Sequence, residues 1–342
     1  MRLSKILTAA VFAPALFIAA FAADQAPAYR IVKEVALGTP DRWDYVVYDG
    51  PQDRVFVAHS DKVTVVDNKT GLVVGHVEGM PGGTHGVAFA AGKGYTDDGK
   101  AGVAVVFDLK TLKKLKTIKA EPDADGIVFD PTSGHILVID GDSGKVTAID
   151  PTTDKVVATI DAGGGLEFGV SGENGKFYVD GAEKGEIVRI DTKTNLADAH
   201  WPQKGCVKPH GLAIDRQSMR LFASCANKVM VVVDANTGAQ LAALPIGEGT
   251  DFAEFDPSRK WAFSSNRDGT LSVIAEEGGL RALTPVTTAY GARTMAVDPK
   301  TGRLFLVSAD YAVDDKAADA RHRYTIKPGT AKLIMLDPVT TP

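Results

Sequence analysis

Two of the chain's seven histidines sit in matching phrases, Thr84-His85-Gly86-Val87 and Pro209-His210-Gly211-Leu212, and Asp125-Gly126 has the same form. Imidazoles and carboxylates repeated at equivalent places are the donor set of zinc, copper, manganese or iron sites. Carboxylates crowded at one mouth repel, and a cation relieves the repulsion. Seven positions align this way, each opening an apolar run: Asp44, His85, Asp125, Leu166, His210, Asp251 and Arg293, with Glu167 one place after Leu166. Two chemistries are open to them. One is a polar funnel for a small ligand or a divalent metal ion, with His85, His210, Asp125 and Asp251 as metal ligands and Asp44 and Glu167 beside them. The other is lactonase-type hydrolysis, with His85 or His210 as general base and Arg293 facing a developing oxyanion, or with a metal-activated water. The plain alternative is capping of local backbone N–H groups by Asp and His.

No nucleophile signature accompanies these residues. G-x-S-x-G, H-E-x-x-H, a phosphate loop and a haem motif are all absent from the sequence. Gly163-Gly164-Gly165 precedes no helical pattern and is no dinucleotide fingerprint. No catalytic residue is therefore assigned, and a non-enzymatic binding protein is the leading expectation.

Seven equivalent positions need a repeating scaffold, and the chain supplies one. An apolar–apolar–Asp–x–x–Thr phrase recurs with its Asp at 67, 108, 150, 191 and 234, in steps of 41, 42, 41 and 43 residues, and again at 337. A degenerate copy, Val273-Ile274-Ala275-Glu276, falls where the next is due. Within one repeat, four β-rich runs alternate with turn chemistry such as Asp130-Pro131-Thr132-Ser133-Gly134. A period of this length with four strands predicts an all-β, seven-bladed β-propeller of four-stranded antiparallel blades. The blades are expected at 43–79, 85–120, 126–160, 167–201, 210–247, 251–286 and 293–340. The Asp-x-x-Thr phrase is expected to shape the turn between third and fourth strands, not to catalyse.

The last repeat lacks a fourth strand, whereas Tyr29–Leu37 is an unassigned one. It is expected to complete the seventh blade, closing the ring and removing an exposed edge. The longest insertion, 310–329, interrupts the seventh blade between its second and third strands. It is expected to rise over the mouth as a lid carrying Arg321, His322, Arg323 and Tyr324, with one or two helical turns in 312–321. Its arginines would meet an anionic ligand or the acidic funnel. The alternative is a loop with no ligand role.

The turns between second and third strands are acidic, with Asp61, Asp97, Asp98, Asp140, Asp142, Asp180, Asp268 and Asp310. These are expected to be solvated turn charges on the mouth face. That face should repel phosphate backbones, so nucleic-acid binding is disfavoured there. Glu254 is a misfit, standing where other blades have Val128, Ala88 and Ala213.

Residues 1–22 read as a secretory signal peptide: Arg2 and Lys5, an apolar run from Ile6 to Ala20, then Ala20-Phe21-Ala22. The run is short for a membrane span. A single periplasmic or secreted domain over 23–342, monomeric and without membrane insertion, is expected. Losing Arg2 and Lys5 takes the net charge from −5 to −7. In an oxidising compartment Cys206 and Cys225, both in one repeat, are expected to pair, stabilising by roughly 3 kcal/mol.

The V-x-V-x-D-x-x-T-x-x-V phrase, the D-P-x-x-x-x-x-x-V pattern before it and the leader resemble the YncE-like, YVTN-repeat β-propellers over essentially all of the mature chain. The resemblance implies an exported propeller that binds a small ligand or a protein partner. Nucleic-acid binding is associated with that family, and distant relatives on the fold include lactonases and redox-protein subunits. Fold alone does not choose among these.

Overall fold

A computed structural model of the chain describes residues 28–317 and 323–339. The signal-peptide expectation, and Arg321 and His322 of the expected lid, lie outside these residues. The described residues form seven antiparallel sheets and one two-stranded hairpin. The first strands of neighbouring blades touch all the way round, blade 7 meeting blade 1. The protein is a seven-bladed β-propeller. No helix of the described residues is long and apolar enough to cross a membrane.

Blade 3 shows why the sequence folds this way. Its strands are Ala124–Asp130, His135–Asp140, Lys145–Asp150 and Lys155–Asp161. The second and third are flanked by the next blades on both faces, so Ile136–Ile139 and Val146–Ile149 are buried without alternation. A strand with both faces covered reads as a continuous apolar run, whereas a half-covered one alternates. The outermost strand of blade 4, Leu196–Pro202, alternates between exposed and half-buried as that rule requires.

The recurrent phrase is a turn device. Asp67 accepts hydrogen bonds from the Thr70 N–H and hydroxyl, both at 2.7 Å. Asp108 with Thr111 and Asp234 with Thr237 repeat the arrangement. In blade 6, Ala275 stands where the other copies have the aspartate, and Glu276 beside it takes an ion pair from Arg220 at 2.9 Å. The outer edge of that blade is split into Arg281–Ala282 and Val286–Thr287. Pro285 lies at the break and has no N–H to donate to the ladder.

Blade 7 consists of Met295–Val297, Leu304–Ser308, Lys332–Pro338 and, as its outer strand, Tyr29–Ala36. Tyr29 pairs with Pro338 and Ala36 with Lys332. Val35 and Leu37 are buried under this closure. Arg303 grips Asp337 through two bonds of 2.6 and 3.0 Å, and its guanidinium also reaches Asn68 of blade 1 at 3.0 Å.

Cys206 and Cys225 form a disulfide with Cα atoms 5.4 Å apart. Strand pairing brings them together, because Pro209, three residues after Cys206, is the ladder partner of Cys225.

Candidate functional site

In each blade, one first-strand residue faces the fourth residue of the second strand, or the third in blade 7, whose second strand begins one residue later: Val46, Val87, Ile127, Gly169, Leu212, Ala253 and Met295. Two residues before each lie Asp44, His85, Asp125, Glu167, His210, Asp251 and Arg293. All seven blades therefore present an ionisable residue at one structural position. This corrects the sequence alignment at blade 4, where Leu166 was matched to the others and Glu167 placed one residue late. In the ladder Leu166 is the counterpart of Ala124 in blade 3, both facing the sixth residue of the second strand, so Glu167 matches Asp125.

The ring pairs with itself, neighbour to neighbour. His85 Nδ1 lies 3.6 Å from Asp125. His210 Nδ1 lies 3.2 Å from Glu167, an ion-pair distance without hydrogen-bond alignment. Arg293 lies 3.1 Å from Asp251. Seven is odd, so one member is left over, and it is Asp44. Its carboxylate, His85 and Asp125 have ligand atoms all within 4.8 Å of one another, a group that could hold a metal ion. The expected metal set was His85, His210, Asp125 and Asp251. Among the described residues the structure groups Asp44 with His85 and Asp125, and commits His210 to Glu167 and Asp251 to Arg293.

Electrostatics follow this pairing. Burial, then the Asp251 charge, push the Asp44 carboxyl up to about 7. Burial and the Asp44 charge push Asp125 well above the usual carboxylate range. For His85, burial opposes the charged form, but the hydrogen bond and charge of Asp97 outweigh it and hold the imidazolium up to about 10. His210 is raised by its contact with Glu167.

Asp97 is the functional residue that the sequence concealed. It is fully buried and accepts the backbone N–H groups of His85 and Gly86 at 3.0 and 2.8 Å. It also holds His85 Nδ1 at 2.8 Å. Fixing Nδ1 in this way leaves Nε2 as the free ring nitrogen, the usual outer-shell support of a ligating histidine. The expectation of solvated acidic turns fails for Asp97, Asp98, Asp140 and Asp180, which are buried. It holds for Asp61, Asp142, Asp268 and Asp310, which are exposed. The buried four lie at or next to the C-terminal ends of second strands, and Asp97, Asp98 and Asp140 accept N–H groups from the chain that enters their own blade.

Directly below the ring, the next first-strand position carries Tyr45, Phe168 and Phe252 in blades 1, 4 and 6. Their ring centroids are 4.7 to 5.4 Å apart, so they close the channel as an aromatic plug. Blades 2, 3 and 5 have Gly86, Gly126 and Gly211 at this position. The His-Gly phrases thus have a packing cause: a Cβ on Gly211 would overlap the backbone of Phe252 and Ala253.

Beside the ring lies a polar cavity of about 260 Å³, walled by Arg42, Arg267, Arg293, Tyr290, Tyr311 and Tyr324. The insertion builds one side of it. Its base is a hairpin, Tyr311–Val313 with Tyr324–Ile326. Ala312 and Val313 are thus strand, not the helical turns expected there, because Tyr290 templates the hairpin. Tyr324 stacks on Tyr290 at 3.9 Å and Tyr311 meets it edge-on at 4.9 Å. Asp41 pins the returning chain by accepting the Gly329 and Ala331 N–H groups at 2.6 and 2.9 Å. Of the lid residues, Tyr324 faces the cavity. Arg323 instead pairs with Asp315 inside the insertion at 3.0 Å.

No family model matches the chain, and no curated protein is similar to it in sequence. Among solved structures, a chain of Kuenenia stuttgartiensis hydrazine synthase superposes with a TM-score of 0.68 at 13% identity, over 78% of this chain and 92% of that one. At that identity the likeness is one of fold.

Proposed function

We propose that this chain is an exported, non-enzymatic binding propeller of the YncE-like, YVTN-repeat kind, whose channel mouth takes a divalent cation. The observation that carries the reading is the odd ring. Neighbour pairing engages Glu167 with His210 and Asp251 with Arg293, and Asp44 is left beside the looser His85–Asp125 contact, the three having ligand atoms within 4.8 Å of one another. The raised carboxyls of Asp44 and Asp125 are those of an over-crowded anionic site, which a cation relieves. One imidazole and two carboxylates suit a borderline ion such as zinc or manganese. Ligation would release the proton that His85 otherwise carries.

Hydrolysis is the weaker reading. A general base must be neutral to accept a proton, and neighbouring carboxylates favour the charged form of both His85 and His210. A ring with four carboxylates also disfavours nucleic-acid phosphates at this face.

The test is metal content of protein exported to the periplasm and purified without chelators or a histidine tag. Near-stoichiometric metal in the wild type, lost in an Asp44→Asn/His85→Ala double variant, is the expected result. Absence of metal in the wild type, or equal metal in the variant, overturns the reading. Turnover of a lactone that His210→Ala abolishes would replace it with the hydrolase.

A further inference from the structure

Below the aromatic plug the channel opens again into a cavity of about 340 Å³, lined by first strands of all seven blades. The strand register places one residue of each blade at the same level. Six of the seven carry a small apolar side chain: Val47, Ala88, Val128, Val170 and Ala296 on the wall of this cavity, and Ala213 on that of an adjoining one. The seventh is Glu254.

Among the described residues no ion pair forms to this carboxylate, and its Oε1 accepts only the N–H of Phe255, at 3.1 Å. Arg216 shares the cavity wall but is engaged by Glu173 at 2.9 Å and by the Ser171 carbonyl at 3.1 Å. Burial outweighs the help of the Arg216 charge, which favours the ionised Glu254 without pairing with it. Burial pushes its carboxyl up to about 7. A valine would continue the apolar ring without this cost, since a half-buried carboxylate without an ion pair loses hydration it does not regain.

The surroundings favour one kind of counter-ion. The plug residues Tyr45, Phe168 and Phe252 and the side chains of Phe89 and Phe129 present aromatic surface to the same cavity. Aromatic faces attract cations, most strongly where water is excluded. A compact metal ion would find one carboxylate and no further ligand. An ammonium on an apolar body would match both the charge and the walls. A neighbouring cavity shares Val170, Arg216 and Glu254 and extends to the exposed Glu173, which gives a route from solvent.

We infer that the lower channel is a second ligand site, separate from the mouth, that takes an organic monocation with an apolar body, with Glu254 as its counter-ion. The site is independent of the cation site at the mouth, because the plug lies between them.

The test is calorimetric titration of the full chain with 2-phenylethylamine and with its uncharged analogue 2-phenylethanol, on wild type, Glu254→Gln and the Asp44→Asn/His85→Ala variant. The expected result is amine binding in wild type and in the mouth variant, weakened by about tenfold or more in Glu254→Gln, with the alcohol binding as weakly as the amine does to Glu254→Gln. Thermal melting of Glu254→Gln at or above the wild-type temperature shows that the loss is not unfolding. Equal amine affinity in wild type and Glu254→Gln, equal affinity for amine and alcohol, or no amine binding to wild type overturns the proposal. Loss of amine binding in the mouth variant alone would place the ligand above the plug and overturn it equally.

Discussion

Asp97 and Asp180 occupy the same rung of blades 2 and 4, both are fully buried, and only Asp97 is answered. Asp97 accepts two backbone N–H groups and the His85 ring. Both oxygens of Asp180 are buried without a hydrogen-bond partner. Burial, then the Glu167 charge, lift the Asp180 carboxyl well above its ordinary range. One repeat position thus holds a structural anchor in one blade and an unsatisfied acid in another.

The two should respond oppositely to mutation. Asp97→Ala strands three donors beside the mouth and should destabilise by about 3 kcal/mol. Asp180→Leu removes an unpartnered buried acid and should be neutral or stabilising by about 1 kcal/mol. Urea unfolding of the two variants decides it. Similar losses in both would mean that Asp180 has a partner equal to that of Asp97.

Much of the architecture was legible because it is written in local chemistry. The Asp67–Thr70 turn device and its copies repeat at blade spacing, and the unmatched Tyr29–Ala36 strand pointed to the gap in blade 7. The mouth position is legible at six blades, and in the seventh it slips by one residue, to Leu166 in place of Glu167. What stayed hidden depends on tertiary neighbours. Asp97 beside Asp98 and Gly99 reads as a solvated turn, whereas in the fold His85 and Gly86 close over it. Tyr290, Tyr311 and Tyr324 come from separate loops with no shared period, so nothing in the chain announces that they stack. Glu254 was visible as a misfit, but its meaning required the ring of Val and Ala around it.

Stability should fall as pH rises from about 5 to about 8. Burial lifts the carboxyls of Asp140 and Glu254 to about 7 from 3.8 and 4.5 in an unfolded chain. A group that holds its proton more tightly when folded stabilises the fold below its unfolded pKa, and that contribution is lost as pH rises through the folded one. Asp215 acts in the opposite sense. Burial opposes its ionisation, but hydrogen bonds from its neighbours hold it down at about 2, so its contribution is lost only in stronger acid. The optimum should therefore be mildly acidic. Thermal melts across this range should show the decline, and Glu254→Gln should flatten it. A melting temperature that rises from about pH 5 to about pH 8 would contradict the assignment of these buried acids.

Closure of the ring by the N-terminal strand makes the sharpest claim about stability. Tyr29–Ala36 is the outer strand of blade 7, paired from Tyr29–Pro338 to Ala36–Lys332. The backbone of Leu37 extends the contact by donating to the Ala331 carbonyl at 2.8 Å. Removing residues 23–38 exposes the edge of Lys332–Pro338 and uncovers Val35 and Leu37 contacts in the core shared with Val46, Phe305 and Leu333. Two buried aliphatic side chains at about 1.5–3 kcal/mol each imply a loss of about 5 kcal/mol once lost ladder bonds are included. The free edge would also template pairing between copies. Chemical unfolding and light scattering of the truncated chain should show a large drop in midpoint with aggregation. A peptide of residues 23–38 added in trans should restore both, because it carries the missing strand. Wild-type stability in the truncated chain would show that blade 7 stands on three strands and that the closure is dispensable.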